Sequence, residues 1–395
     1  MTSDNRWLLP DGIDELLPER AAAVEALRRQ LLDHCHGWGY RYVIPPLVEF
    51  TDSLLVGLGA DLDVLTCKFG DRLSGRTMGV RADITPQVAR IDAHSLGEPG
   101  VTRLCYAGST LHSAPQSVMA SRSPIQLGAE LYGCASIEAD LEVIRLLLSL
   151  LKSLDIAPNH RPMTLDVGHV GVYQAIMSSA GLDGDTQRAL FDALQRKSAP
   201  DLSLALAQVD AAVAEQLRAL AQLHGDASVL VAARELLQNE PAALLALDQV
   251  AAVVEVVTRE FGDVAIYIDL SELRSFEYHT GLVFAAYLEG VGTAVAKGGR
   301  YDNIGSVFGR QRPATGFACD VKALAVANTQ AAPAQGAVAV AASDDPELAI
   351  KVAQLRAEGR VVIAVIDDMI DPRCGEQLTK SGAAWVLTPL QSVES

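Results

Sequence analysis

Basic residues are in short supply. The chain has 32 Lys and Arg against 49 Asp and Glu, a formal net charge of −17. Phosphate contacts supply much of the affinity of nucleic-acid binders, which usually carry a basic face. The balance therefore argues against a nucleic-acid partner. Cysteines are few and scattered, at Cys35, Cys67, Cys105, Cys134, Cys319 and Cys374. None forms C-x-x-C and none stands at zinc-ligand spacing with a histidine, so no metal site is expected. Such thiols read as reduced, and the compartment as cytoplasmic. Long apolar runs are missing too: the candidate at 143–154 carries Arg145 and Lys152, which excludes a membrane span. The opening MTSDNRWLLPDG lacks the basic and then apolar order of a signal peptide.

What is present is a globular composition, 49% hydrophobic and 21% charged over 395 residues, enough for two or three domains. Pro18 starts a helix whose apolar stripe is Val24, Leu27, Leu31 and Cys35. Residues 40–43 begin an extended segment. Residues 67–90 read as a hairpin leading into a helix, with Thr85 at the N-cap and Pro86 at the first helical position. Strands follow at 101–107 and 124–132. Alternation in the second puts Gln126 and Glu130 on one face and Leu127 on the other. Asp83, Gln126 and Glu130 read as polar groups on strands that otherwise pack a core. They line either a small-polar-ligand floor or the solvated face of an antiparallel sheet.

A helix spans 137–154 and a strand 163–167. Residues 170 to about 258 are rich in Ala and Leu, with breaks at 181–185, 197–200, 224–225 and Pro241, and read as a helical insertion between strands of one sheet. Strands are expected at 264–269, 278–287, 293–296 and 313–319, with the Gly298-Gly299 pair breaking the pattern before Arg300, Tyr301 and Asp302. Arg274, Glu277, Tyr278 and His279 fall within six residues beside buried strand. They form either a ligand site or a hairpin with a surface ion pair and a core tyrosine. Residues 326–336 are a linker. The last segment reads as strand 338–341, helix 346–358, strand 361–366, helix 374–381 and strand 384–387.

Several of these stretches together resemble the catalytic core of class II aminoacyl-tRNA synthetases, in particular histidyl-tRNA synthetase. Residues 39–49 match the region of the first class motif, which forms a dimer interface in that family. RADIT at 81–85 with VAR at 88–90 is similar to R-P-E-x-T and its downstream arginine. RLCYAG at 103–108, Pro115-Gln116 and QLGAELYG at 126–133 resemble the second class motif. RSFEYHTGLVF at 274–284 resembles the histidine-specific R-G-L-D-Y-Y-T-G-x-V-F, and GGRYD at 298–302 is shared. The resemblance spans about residues 8–325. It implies an α+β fold: an antiparallel sheet core flanked by helices at 1–325, the helical insertion, the linker and a small C-terminal α/β unit at 337–395, shortened relative to an anticodon-binding domain.

The departures matter as much. The second motif's F-R-x-E is replaced by LHSA at 111–114, and G-F-A-x-G-x-E-R by GFACDVKA at 316–323. Adenylation needs cations preorganised on developing phosphate charge, each worth about 2.7–4 kcal/mol in a transition state. The resemblance therefore implies that ATP chemistry is lost, with no catalytic residue, cofactor or metal. The amino-acid pocket is kept. It implies L-histidine binding by Asp83, Thr85, Gln126, Glu130, Arg274, Tyr278, His279 and Tyr301. A synthetase-like core with these changes resembles the regulatory subunits of ATP phosphoribosyltransferase. That family implies a cytoplasmic hetero-oligomer with a short-form catalytic subunit, a homodimeric core, and feedback inhibition by histidine in histidine biosynthesis. A diverged histidyl-tRNA synthetase and a histidine sensor with another partner stay open at this point.

Overall fold

Pro18 is the first residue of helix α1 (Pro18–Gly37), where its fixed φ suits a helix and its missing N–H removes no bond. Val24, Leu27, Leu31 and Cys35 form the buried stripe. The computed structural model describes residues 7–56, 60–115, 120–154, 162–273, 278–327 and 336–390. The chain divides into two compact units, Met1–Thr329 and Gln330–Ser395.

In the first unit, β1 (Arg41–Tyr42) precedes β2 (Val48–Phe50), the short helices α2 (Thr51–Leu54) and α3 (Ala60–Leu65), β3 (Cys67–Gly70) and β4 (Thr77–Val80). Strands β2, β4 and β3 make a small antiparallel sheet. Helix α4 (Thr85–Arg90) runs into a π-helical turn, Ile91–Leu96. The N-cap is Ile84 rather than Thr85, which is one residue inside the helix. The capping carboxylate comes from further back, since Asp83 Oδ1 accepts from the Thr85 N–H at 3.0 Å. Asp83 thus lies in a loop, not on a strand.

Then come β5 (Thr102–Ser109), β6 (Ile125–Tyr132), α5 (Ile137–Lys152) and β7 (Met163–His169). The insertion contains α6 (Val170–Ala180), α7 (Gly184–Gln195), α8 (Ala199–Ala205), α9 (Ala211–Leu220), β8 (His224–Gly225), α10 (Val229–Leu236) and α11 (Pro241–Glu260). The expected break at 224–225 is in fact a two-residue strand pairing with β9 (Val264–Asp269). Helix α11 is long and apolar enough to cross a membrane by composition. Here Ala243, Ala246, Leu247, Val250, Val253, Val256 and Val257 are buried in the core. The unit closes with β10 (Leu282–Leu288), β11 (Ala296–Arg300), β12 (Ala314–Asp320) and α12 (Val321–Ala327).

Nine strands form one sheet in the order β1-β5-β6-β12-β11-β10-β7-β9-β8. The pairs β1–β5 and β7–β9 are parallel and the others antiparallel. The β7–β9 pair is parallel because the whole insertion serves as its crossover. One sheet face packs Cys105, Leu127, Ala129, Leu131 and Phe317 into the main core. The other carries Leu104, Tyr106, Tyr132, Tyr301 and Ala314 against Ile84, Val88 and Ile304.

Two strand boundaries differ from expectation. Strand β10 starts at Leu282, so Tyr278 and His279 stand in the turn before it. The glycine pair lies inside β11 instead of breaking it. A methyl on Gly298 would stand 2.6 Å from the Phe284 ring, and one on Gly299 2.6 Å from His279 Cδ2. The glycines admit neighbouring rings, a tertiary reason that a strand pattern does not carry.

The second unit has β13 (Ala337–Val340), α13 (Pro346–Ala357), β14 (Val362–Ala364), β15 (Cys374–Ser381) and β16 (Ala384–Pro389), in sheet order β14-β13-β15-β16. Residues 374–381 are therefore a strand, not a helix. The Gly382-Ala383 loop, with Gly382 at φ 62°, closes a two-residue hairpin that pairs Ser381 with Ala384.

A buried ion pair fastens the first unit. Arg312 Nη1 donates to Asp92 Oδ1 and Oδ2 at 2.8 and 3.0 Å, and Nη2 to the Gly100 carbonyl. It ties the segment before β12 to the π-turn and the loop after it. Arg312→Met strands the Asp92 charge and is expected to cost roughly 3–5 kcal/mol in urea unfolding. A loss under about 1 kcal/mol would contradict this role.

Candidate functional site

The site is built around Glu130 on β6. Its side chain is 1% exposed. Strand register places Leu104 of β5 and Gly316 of β12 on either side of it. A methyl on Gly316 would overlap Glu130 Oε2, so glycine there makes room for the carboxyl. Tyr106 Oη donates to Glu130 Oε1 at 3.0 Å, and Tyr301 Oη donates to Oε2. Thr85 Oγ1 lies 3.0 Å from Tyr106 Oη. Burial pushes the Glu130 pKa up to about 8, against the opposite pull of the Tyr301 and Tyr106 hydrogen bonds. At neutral pH this group is mainly a neutral acid.

The aromatic wall continues from there. Tyr278 stacks on Tyr301 with ring centroids 5.0 Å apart and planes at 24°. The Tyr278 hydroxyl is buried and has no hydrogen-bond partner among the described residues. His279 meets Tyr278 edge to face at 5.3 Å. Burial raises the pKa of Tyr278 and Tyr301 well above the usual phenol value, with Asp83 and Glu130 adding to the effect at Tyr278. On the other side, Gln126 Nε2 donates to Asp83 Oδ1 at 2.8 Å, while Gln126 Oε1 accepts from the Ile84 N–H at 2.8 Å. One amide thereby orients the carboxylate and the start of α4 together.

Asp83, Thr85, Gln126, Glu130, Tyr278, His279 and Tyr301 thus lie along one face of the β5–β6–β12–β11 region. Arg274 lies outside the described residues. Two members were not anticipated, Tyr106 and Tyr132; the latter meets Tyr301 edge to face at 6.5 Å. The signal for Tyr106 was there. Alternation in β5 turns it to the same face as Leu104, and the register with β6 puts it opposite Gly128, whose missing side chain leaves room for the phenol.

The positions that the synthetase resemblance sets beside ATP are engaged by the protein itself. His112 Nε2 lies 3.0 Å from the Ala82 carbonyl. Lys322 Nζ reaches Asp14 Oδ1 at 3.0 Å and Ser123 Oγ at 3.3 Å. Arg81, the counterpart of the arginine in R-P-E-x-T, also donates internally, to the Ser109 and Pro45 carbonyls at 2.9 and 2.8 Å. Asp320 accepts from the Lys322 N–H at 2.9 Å, and burial raises its pKa. Ala323 brings no charge. A cleft of about 530 Å³ between α6 and α11 includes His169, Gln174, Glu240 and Gln249 in its lining but none of the expected site residues. His169 is satisfied there by Gln249 Oε1 at 2.8 Å and by the Gly171 N–H, as an N-cap. The chemistry, not the cleft between α6 and α11, marks the Glu130 face as the candidate site.

Fold and site together define a histidyl-tRNA synthetase-like, class II synthetase core. Residues 12–324 match the family model of histidyl-tRNA synthetase. A histidyl-tRNA synthetase from Nostoc sp. PCC 7120 has the same fold, with a TM-score of 0.73 over 95% of this chain and 91% of that one, at 18% identity. The remainder narrows the class. Residues 335–388 match the model described as the ATP phosphoribosyltransferase subunit HisZ C-terminal domain. The chain is 47% identical to an ATP phosphoribosyltransferase regulatory subunit from Pseudomonas fluorescens Pf0-1, over 99% of this chain and 100% of that protein. It is 50% identical to one from Thioalkalivibrio sulfidiphilus over 92% of each. A Bacillus halodurans structure titled ATP phosphoribosyltransferase regulatory subunit/histidyl-tRNA synthetase superposes with a TM-score of 0.79, covering 91% and 92% of the two chains at 27% identity. The chain belongs to the family of ATP phosphoribosyltransferase regulatory subunits.

The Glu130 pKa sets a sign for pH dependence. Its folded value, about 8, lies above the ordinary 4.5. Its contribution to stability is then present at low pH and is lost as pH rises through about 8. Glu130→Gln should flatten that part of a stability–pH curve measured by urea unfolding. An unchanged slope between about pH 5 and 8 would show that the carboxyl titrates normally.

Proposed function

We propose that this chain is a non-catalytic subunit that binds L-histidine on the Glu130 face, activates a short catalytic ATP phosphoribosyltransferase subunit, and transmits feedback inhibition by histidine. The observation that carries the reading is the Tyr278 hydroxyl, without a hydrogen-bond partner among the described residues, beside a buried, largely protonated Glu130. Together they offer two groups suited to an imidazole. Asp83 and Gln126 suit an α-ammonium, and Arg274 an α-carboxylate. His279 narrows the space over Tyr278. Lys322, in the third-motif stretch, is engaged with Asp14 and Ser123, and GFACDVKA ends on Ala323 where the synthetase pattern has arginine. Both features favour loss of adenylation. The segment that resembles the first class motif, 39–49, favours a homodimeric core, and the role places the chain in the cytoplasm.

Histidine can inhibit only by binding one state of the complex better than another. On this reading the pocket stabilises an assembly in which the catalytic subunit is slow. The test is to mix the chain with the short transferase and follow phosphoribosyl-ATP formation with and without L-histidine. Activity should require mixing and fall on adding histidine. Glu130→Ala should still activate but should lose most of the histidine response. No gain on mixing would refute the regulatory role; a Glu130→Ala complex with unchanged histidine inhibition would place the inhibitory site elsewhere.

A further inference from the structure

The shared GGRYD stretch puts Arg300 next to Tyr301, and a cation beside a ligand-binding tyrosine invites the assumption that both meet the ligand. The structure sends them to opposite faces of the sheet. Tyr301 joins the aromatic wall, while Arg300 turns toward α5. There Nε and Nη2 donate to Asp140 Oδ2 at 3.0 and 2.7 Å, Nη2 to the Ser136 carbonyl at 3.1 Å, and Nη1 to the Cys134 carbonyl at 3.1 Å and Asp302 Oδ1 at 3.2 Å. Asp302 Oδ1 also accepts from the Ala314 N–H at 2.9 Å.

This network reaches the turn that holds Tyr278 and His279. The Thr280 N–H donates to the Arg300 carbonyl at 2.8 Å. Thr280 Oγ1 accepts from the Asp302 N–H at 3.0 Å. The Arg300 stem lies against Gly281, where a methyl would stand 2.9 Å from Cδ. The guanidinium therefore joins α5 to Asp302, Asp302 passes the link to the start of β12 and to Thr280, and the Arg300 carbonyl and stem meet the turn before β10 directly. The planar fork can hold several acceptors at fixed angles, which an ammonium cannot do.

We propose that Arg300 is a positioning residue: from the sheet face opposite the ligand it locks Tyr301 and the Tyr278–His279 turn into one rigid recognition wall. The functional part of this inference rests on the histidine reading above; the mechanical part does not.

Arg300→Ala strands Asp140 and is prone to unfolding, so the informative variants are Arg300→Lys and Thr280→Val. The first keeps the charge and loses the fork. The second leaves Arg300 and the Thr280 N–H bond to its carbonyl intact and removes only the Thr280 Oγ1 bond that ties the turn to the Asp302 N–H. In protein labelled with 3-fluorotyrosine, with the Tyr278 and Tyr301 signals assigned by phenylalanine replacement, both variants should shift or broaden those two ¹⁹F resonances and leave Tyr173, in the insertion, unchanged. Calorimetric titration of the same folded samples with L-histidine should show roughly two- to thirtyfold weaker binding, the range carried by packed networks. A merely structural ion pair would lower the melting temperature and leave resonances and affinity unchanged, which overturns the proposal. If the wild-type chain fails to bind histidine while the resonances still respond, the histidine reading fails and the mechanical proposal stands. If histidine binds and neither variant moves the resonances, the positioning role fails and the site reading stands.

Discussion

A carboxyl group buried on an inner strand of a nine-stranded sheet sets the terms for the rest of this molecule. Burying an ionised carboxylate without compensation is costly, and a protein meets that cost by hydrogen bonding, pairing or protonation. Glu130 is met by two of these. Tyr106 and Tyr301 donate to its two oxygens, and desolvation shifts its titration to about pH 8. Its neighbours are constrained in turn. Gly316 has no room for a side chain, Tyr301 must be held in place, and Thr85 must sit at the start of α4 within reach of Tyr106. A stability argument alone would favour an apolar residue at position 130. The elaborate accommodation of a polar one is the physical ground for reading the face as a recognition surface.

The two ends of the same sheet region differ in how their charges are used. Around Glu130 the polar groups converge, and one of them, the Tyr278 hydroxyl, has no partner among the described residues. Toward the end of β12, by contrast, Lys322 meets Asp14 and Ser123, Arg81 meets backbone carbonyls, and Arg122 donates to the Asp11 and His112 carbonyls. Preorganised cations accelerate phosphoryl and adenylyl chemistry only when they are aimed at the developing charge. Cations committed to internal acceptors serve the fold. On the proposed reading, a core whose cations serve internal acceptors suits a sensor better than an adenylating enzyme.

The strands that carry the site were largely legible. In β6 the alternation is clean, and polar Gln126 and Glu130 recur at a spacing of four against an apolar opposite face. What alternation could not supply was the reason for glycine at 298, 299 and 316, because the groups that need the space come from other strands and turns. The Arg300–Tyr301 pair shows the converse. Their opposite directions follow from the strand period, yet reading GGRYD as one chemical unit obscures it. At Cys374–Ser381 the helical expectation failed because only Leu378 is buried along the strand. Pairing with β16 through the Gly382-Ala383 loop decides its conformation, and such pairing leaves little trace within eight residues. Tyr106 reads in sequence as one more apolar strand residue, and becomes polar chemistry only because a carboxyl of the next strand lies 3.0 Å away.

The central claim is that a synthetase-like core has kept its amino-acid face and given up activation of the amino acid. Histidine-dependent ATP–pyrophosphate exchange tests it most directly, run on purified chain already shown by calorimetry to bind L-histidine. The account predicts exchange no faster than the protein-free background at saturating histidine and ATP. Exchange that depends on histidine and is abolished by Glu130→Ala would contradict it, and would make the chain a working synthetase core.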